Sequence, residues 1–114
     1  MKGNLLLKAT TEIDTEEYYS TERPKSVIID YYILEEEEKN YGLKVIKKEY
    51  SGTGKTVHEE AYIANEVSNS EEQANKIIEL LARNKVTPVA VENVLADIVF
   101  MWKKKGMRIK SHSF

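Results

Sequence analysis

The heptapeptide V-S-N-S-E-E-Q at residues 67–73 marks a change in the hydrophobic period of the chain. Before it, apolar side chains recur at every second residue, as in a half-buried strand. After it, they recur at every third or fourth residue, as on one side of a helix. Ser70 and Gln73 form a capping-box pattern, in which the serine hydroxyl and the glutamine side chain satisfy backbone N–H groups. A helix is therefore predicted to begin directly after Ser70.

Four strands are predicted before this change, at residues 4–13, 26–36, 41–50 and 56–67. Alternation predicts that one face of the first strand carries Leu5, Leu7, Ala9, Thr11 and Ile13. In the fourth strand, Val57, Ala61 and Ile63 are expected to face inward. The two glycines of S-G-T-G-K at 51–55 suit a tight reversal. Short connections between successive strands indicate antiparallel neighbours.

Two helices are predicted after Ser70. The apolar side of the first is formed by Ala74, Ile77, Ile78 and Leu81. Asn84 is expected to take the left-handed conformation that ends this helix. Thr87 is the predicted N-cap of the second helix, and Pro88 is its predicted first residue. The apolar stripe of the second helix is formed by Val91, Val94, Leu95, Ile98, Met101 and Trp102.

A sheet and two helices, each apolar on one side, bury those sides by packing in two layers. The predicted fold class is therefore α+β, with a four-stranded antiparallel β-meander followed by two C-terminal amphipathic helices packed on one sheet face. The length of 114 residues suits one domain. We predict a single domain at residues 1–106 and a flexible basic C-terminal tail at 107–114.

Composition narrows the functional classes. The chain contains no cysteine, which excludes disulfides and thiol chemistry and suits a reducing compartment. The N-terminal leucine run is too short for a secretory leader or a membrane span, so we expect a cytoplasmic protein. The formal net charge is −2, yet residues 103–114 carry only basic charges. The acidic remainder disfavours extended contact with nucleic acid.

Two apparent motifs do not meet the requirements of their chemistry. The segment G-T-G-K-T at 52–56 resembles the end of a P-loop, but the first glycine of that motif would fall on Glu49. His58 and Glu60 form an H-x-E pair, but a zinc site needs at least three protein ligands. We therefore predict no catalytic residue, no cofactor and no metal site, and expect that the protein is not an enzyme.

Three functional hypotheses follow. The first is a protein-interaction or regulatory module, with a protein partner or self-association as a homodimer through Val99, Phe100 and Trp102, which crowd the end of the second helix. The second is a small-ligand or nucleotide site in a tyrosine-lined cleft between sheet and helices. The third is weak binding of nucleic acid or an anionic surface through the basic residues Lys103, Lys104, Lys105, Arg108 and Lys110.

The stretch L-L-A-R-N-K-V-T-P-V at 80–89, followed by V-L-A-D at 94–97, resembles the C-terminal signature of a small family of uncharacterised clostridial (Firmicutes) proteins, a domain of unknown function. That family is similar in size and in its strand-rich first part, including an aromatic–glycine step like Tyr41–Gly42. The sequence departs from the family pattern at Ala90 and Ala96. The resemblance implies a cytoplasmic protein of a Gram-positive anaerobe, and it implies no activity or active site.

Overall fold

The computed structural model describes residues 4–13 and 26–106, apart from the side chain of Glu38. These residues form four strands, a short 3₁₀ turn at Glu37–Lys39 and two α-helices. The strands are β1 (Asn4–Ile13), β2 (Ser26–Glu35), β3 (Tyr41–Tyr50) and β4 (Thr56–Ser68), and the helices are α1 (Glu71–Arg83) and α2 (Pro88–Lys104). The strands form one sheet in the order β1-β2-β3-β4, and every neighbouring pair is antiparallel. The predicted fold class is confirmed.

The core lies between the helices and one face of the sheet, which we call the covered face. Alternate residues of the two central strands are buried there, namely Val27, Ile29, Tyr31 and Ile33 of β2 and Leu43 and Val45 of β3. The predicted stripe of α1 is buried against them, together with Val91, Leu95 and Ile98 of α2. This arrangement is the one expected when a sheet and two amphipathic helices shield each other from water.

A β-bulge at Lys8 divides β1 into two parts that present opposite alternations. Leu7 pairs with Tyr32, whereas Ala9 pairs with Tyr31, so Lys8 is an additional residue in the ladder. Residues paired across an antiparallel sheet share a face. Ala9 and Ile13 therefore pack on the core, while Leu5 and Leu7 are exposed on the other side. The prediction that all five alternate residues of β1 share one face is wrong, because one additional residue reverses the alternation.

The inward face of β4 also differs from the prediction. Tyr62 pairs with Val45 and packs on the core, and Ala64 pairs with Leu43 and is buried. Val57, Ala61 and Ile63, which were expected to face inward, are all exposed. Alternation identifies two faces of a strand, but it does not tell which is inside when both carry apolar residues.

The start of α1 confirms the predicted cap by Ser70, whereas Ser68, rather than the Gln73 side chain, accepts from the N–H of Ser70. Ser70 Oγ accepts a hydrogen bond of 3.2 Å from the backbone N–H of Gln73. The fully buried Ser68 donates its hydroxyl to Gln73 Oε1 at 2.8 Å and accepts from the N–H of Ser70 at 3.0 Å. Ser68 thus connects the end of β4 to the first turn of α1.

The turn between the helices is a Schellman motif. The N–H of Val86 donates to the carbonyl of Leu81, and the N–H of Lys85 donates to that of Ala82. The left-handed residue is Lys85, with φ of 51°, whereas Asn84 has φ of −96°. The prediction that Asn84 takes the left-handed conformation is therefore wrong by one position. Thr87 occupies the N-cap position of α2, as predicted, but its side chain makes no capping hydrogen bond.

Candidate functional site

The face of the sheet opposite the helices, which we call the open face, carries a group of apolar side chains. Its members follow from the strand register and are Leu5, Leu7, Ile28, Tyr32, Leu34, Ile46, Ala61 and Ile63. The exposed fractions are 55% for Leu7, 49% for Ile63 and 45% for Leu5. Neither α1 nor α2 covers this face, because both pack on the covered face.

Charged residues of both signs lie among these apolar side chains. The register places Lys44 and Lys48 of β3 on the open face, together with Glu12, Asp30 and Glu59 from the other three strands. Asp30 Oδ1 accepts a hydrogen bond of 2.7 Å from the hydroxyl of Thr10. The open face is thus apolar, with two lysines of β3 beside carboxylates of the other three strands.

A second cluster, which we call the polar cluster, lies at one end of the covered face and contains Lys47, Glu49, His58 and Glu60. Lys47 Nζ lies 3.3 Å from Glu49 Oε2, and His58 Nε2 lies 3.1 Å from Glu60 Oε2. Lys47 also pairs with Glu60 across the strands, and Glu49 pairs with His58. These residues form a square in which neighbours have complementary hydrogen-bonding or charge character.

The polar cluster does not assemble a metal site. Within residues 4–13 and 26–106, no group of three His, Cys, Asp or Glu side chains is arranged to hold a metal ion. His58 and Glu60, the two residues of the H-x-E pair, contact each other instead. Residues 52–55 of G-T-G-K-T lie in the reversal between β3 and β4, where the N–H of Gly54 donates to the carbonyl of Ser51, and Thr56 begins β4.

The tyrosines of the covered face are part of the core rather than the walls of a cleft. The Tyr31 hydroxyl donates a buried hydrogen bond of 2.8 Å to the carbonyl of Val86. Burial raises the pKa of Tyr31 above its ordinary value. The pKa of Tyr62 is also raised, first by burial and then by the carboxylate of Glu92.

A shallow pocket of about 90 Å³ lies at the start of α1, between Ser70, Glu72, Gln73 and Lys76. Small-molecule sites in proteins usually enclose ~300 Å³ or more. This pocket also lies apart from the core tyrosines, so it does not supply the tyrosine-lined cleft that the sequence suggested.

The residues predicted at the end of α2 do not form one surface. Val99 is only 9% exposed, and Trp102 is half-buried against the core. Phe100 is 63% exposed, and Lys104 Nζ lies 5.4 Å from the centre of its ring. Among the predicted basic contacts, Lys103, Lys104 and Lys105 are exposed at the helix end. Arg108, Lys110 and the predicted tail at 107–114 lie outside the described residues.

These features define a small two-layer α+β domain with one sheet face covered and the other open. The chain belongs to a family of unknown function, DUF6514, whose model matches residues 10–101. The match begins within β1 and ends within α2, so it includes most of both layers. No curated protein and no solved structure was found to match the chain. Neither helix of the described residues is long and apolar enough to cross a membrane.

Proposed function

We propose that this domain is a non-enzymatic cytoplasmic protein-interaction module and that it binds through the open face of its sheet. The observation that carries the proposal is the exposure of Leu5, Leu7 and Ile63 on the face opposite the helices. A single exposed apolar residue is ordinary on a protein surface, but a contiguous group marks an interaction site. The open face joins such residues from all four strands.

The free energy of burying these apolar side chains favours another protein as the partner. Fully burying one large aliphatic side chain contributes ~1.5–3 kcal/mol before the costs of association. Several such side chains, half-buried within one sheet, can therefore provide a binding surface. The interspersed charges of both signs would supply orientation and selectivity rather than most of the affinity. Two lysines beside three carboxylates offer little to a nucleic-acid backbone.

Site-specific photo-crosslinking tests this proposal. A photoreactive amino acid is introduced at Leu7 or Ile63, and the full chain is irradiated both alone and in a lysate of its source organism. Val89 provides the matched control, because it is 77% exposed and apolar but lies on α2. We expect protein adducts from positions 7 and 63 in at least one of the two samples, at several times the yield from position 89. Equal yields from all three positions, or none in either sample, would contradict the proposal.

A further inference from the structure

We infer that the occupant of the open face is a second copy of this chain, packed face to face about a two-fold axis. This inference rests on the proposed function and names the partner of the same surface. Packed sheets hold their strands within about 30° of each other, so strand positions on the two copies correspond. A two-fold axis parallel to the strands, between β2 and β3, sets β2 of each copy opposite β3 of the other.

The register supplies charge complementarity in this arrangement. Asp30 pairs with Ile46 within its own sheet, so it faces Ile46 of the second copy. Lys44 and Lys48 of that copy lie two residues to either side of Ile46 on the same face. Asp30 of each copy therefore lies between two lysines of the other, and the symmetry repeats this contact.

The apolar residues correspond in the same arrangement. Leu7, Tyr32, Lys44 and Ile63 form one row across the four strands. Leu7 at one edge of the sheet consequently faces Ile63 of the second copy, and Tyr32 faces the lysine of that row. A lysine beside an aromatic ring is a favourable neighbour. Glu12 and Glu59 approach each other only at the rim, where water and salt screen their repulsion.

The area of the open face is sufficient for a dimer. Four strands about 4.8 Å apart and about ten residues long give a face of roughly 600 Å². Two such faces bury roughly 1,200 Å² in total, which reaches the lower end of stable interfaces. We therefore expect a reversible dimer with a Kd on the order of micromolar.

Charge-reversal variants of Asp30 and of the lysine pair Lys44 and Lys48 test both the identity of the partner and the register of the two sheets. Sedimentation equilibrium of the full chain is expected to show a monomer–dimer equilibrium. Asp30→Lys alone, or Lys44→Asp with Lys48→Asp, should weaken the dimer at least about ten-fold, because each variant places like charges together. An equimolar mixture of the two variants should recover the dimer as a heterodimer, since both contacts between unlike variants are attractive. Glu79→Lys makes a similar change of charge on the exposed side of α1, away from the open face, and should leave dimerisation unchanged.

Three results would overturn the inference. In the first, the wild-type chain stays strictly monomeric up to about 1 mM. In the second, both charge variants dimerise as strongly as the wild type. In the third, the mixture does not recover the dimer although circular dichroism shows that both variants are folded. A strict monomer that still gives crosslinks at positions 7 and 63 in lysate would remove the second copy while leaving the proposed function intact. Absence of crosslinks in both samples would remove both.

Discussion

The carboxylate of Glu36 accepts a hydrogen bond of 2.7 Å from the backbone N–H of Glu66, thirty residues later in the chain. Glu66 has a left-handed backbone, with φ of 51°, in the part of β4 where the ladder with β3 is irregular. Gly42 of β3 lies beneath this contact, and a side chain there would meet the Ala64 carbonyl and the Glu36 carboxylate. The Glu36–Glu66 bond therefore fixes the irregular end of β4 just before the chain enters α1.

Gly42→Ala is expected to be strongly destabilising. A Cβ atom at this position would overlap the backbone carbonyl oxygen of Ala64, which cannot move without disturbing the β3–β4 ladder. We expect a loss of about 2–4 kcal/mol in the free energy of unfolding, measured by urea denaturation. Gly52→Ala is the control, because nothing lies within 4 Å of its added Cβ. Similar losses for the two variants would contradict this account.

Glu36→Ala removes the acceptor of the Glu66 N–H. Because the acceptor is a carboxylate, the hydrogen bond is charge-assisted, and its loss is expected to cost about 1–2 kcal/mol. Hydrogen exchange should show faster exchange of the Glu66 amide, with little change in the amides of α1. Glu79→Ala, on the exposed side of α1, provides a control within about 0.5 kcal/mol of wild type. An unchanged exchange rate at Glu66 would show that this bond does not stabilise β4.

Tyr31→Phe tests the connection between the sheet and the helical turn. The substitution keeps the buried ring and deletes the hydroxyl that donates to Val86, so a buried carbonyl loses this partner. We expect a loss of about 1–2 kcal/mol, with the fold unchanged. Tyr32→Phe, on the open face, should change stability by less than about 0.5 kcal/mol. If the two substitutions had equal effects, the Tyr31 hydroxyl would contribute no more to stability than the hydroxyl of Tyr32 on the open face.

Stability is expected to fall at alkaline pH, with Tyr31 as one cause. Its pKa in the folded protein is raised above 10.0 by burial, so the unfolded chain loses this proton first. The contribution of protonated Tyr31 to the free energy of unfolding is fully present below pH 10, and it is lost as the pH rises from there through the raised pKa. Urea denaturation between about pH 8 and 11 should show a shallower decline for Tyr31→Phe than for wild type. Parallel declines would contradict a buried, protonated Tyr31.

Lys85→Gly is expected to stabilise the protein. Lys85 ends α1 with φ of 51°, a conformation that costs a residue with a Cβ atom ~1–2 kcal/mol and costs glycine little. Because glycine also loses more freedom on folding, the net gain should be about 0.5–1 kcal/mol, measured as a rise in the midpoint of urea denaturation. Lys85→Ala removes the same charge but keeps the Cβ atom, so it should show no such gain. A gain of the same size from both variants would assign the effect to charge.

The sequence predicts the elements well because hydrophobic periods and caps are local properties. The change of period near residue 67, the Ser70 cap and Pro88 all place the helices correctly. The signature around Leu81–Pro88 has a structural explanation, since Leu81 and Val86 close the helix turn and Val86 accepts from Tyr31.

The open face could not be predicted, because the sides of β1 and β4 depend on cross-strand pairing. The sequence around Lys8 gives no indication of a bulge, and Tyr62 and Ile63 are both suitable core residues. The best available signal was in β2, where one side carries the apolar or aromatic residues Ile28, Tyr32 and Leu34 and a single charged residue, Asp30. This composition shows that the second side of β2 is only partly polar.

The additional residue at Lys8 also bears on how such a surface arises. If the same ten residues of β1 were paired without the bulge, Leu5 and Leu7 would share the face of Ala9 and turn toward the helices. Two exposed leucines would then leave the open face without any leucine being replaced. The exposure of these leucines therefore follows from one irregular step in the pairing of β1 with β2, and not from the composition of β1.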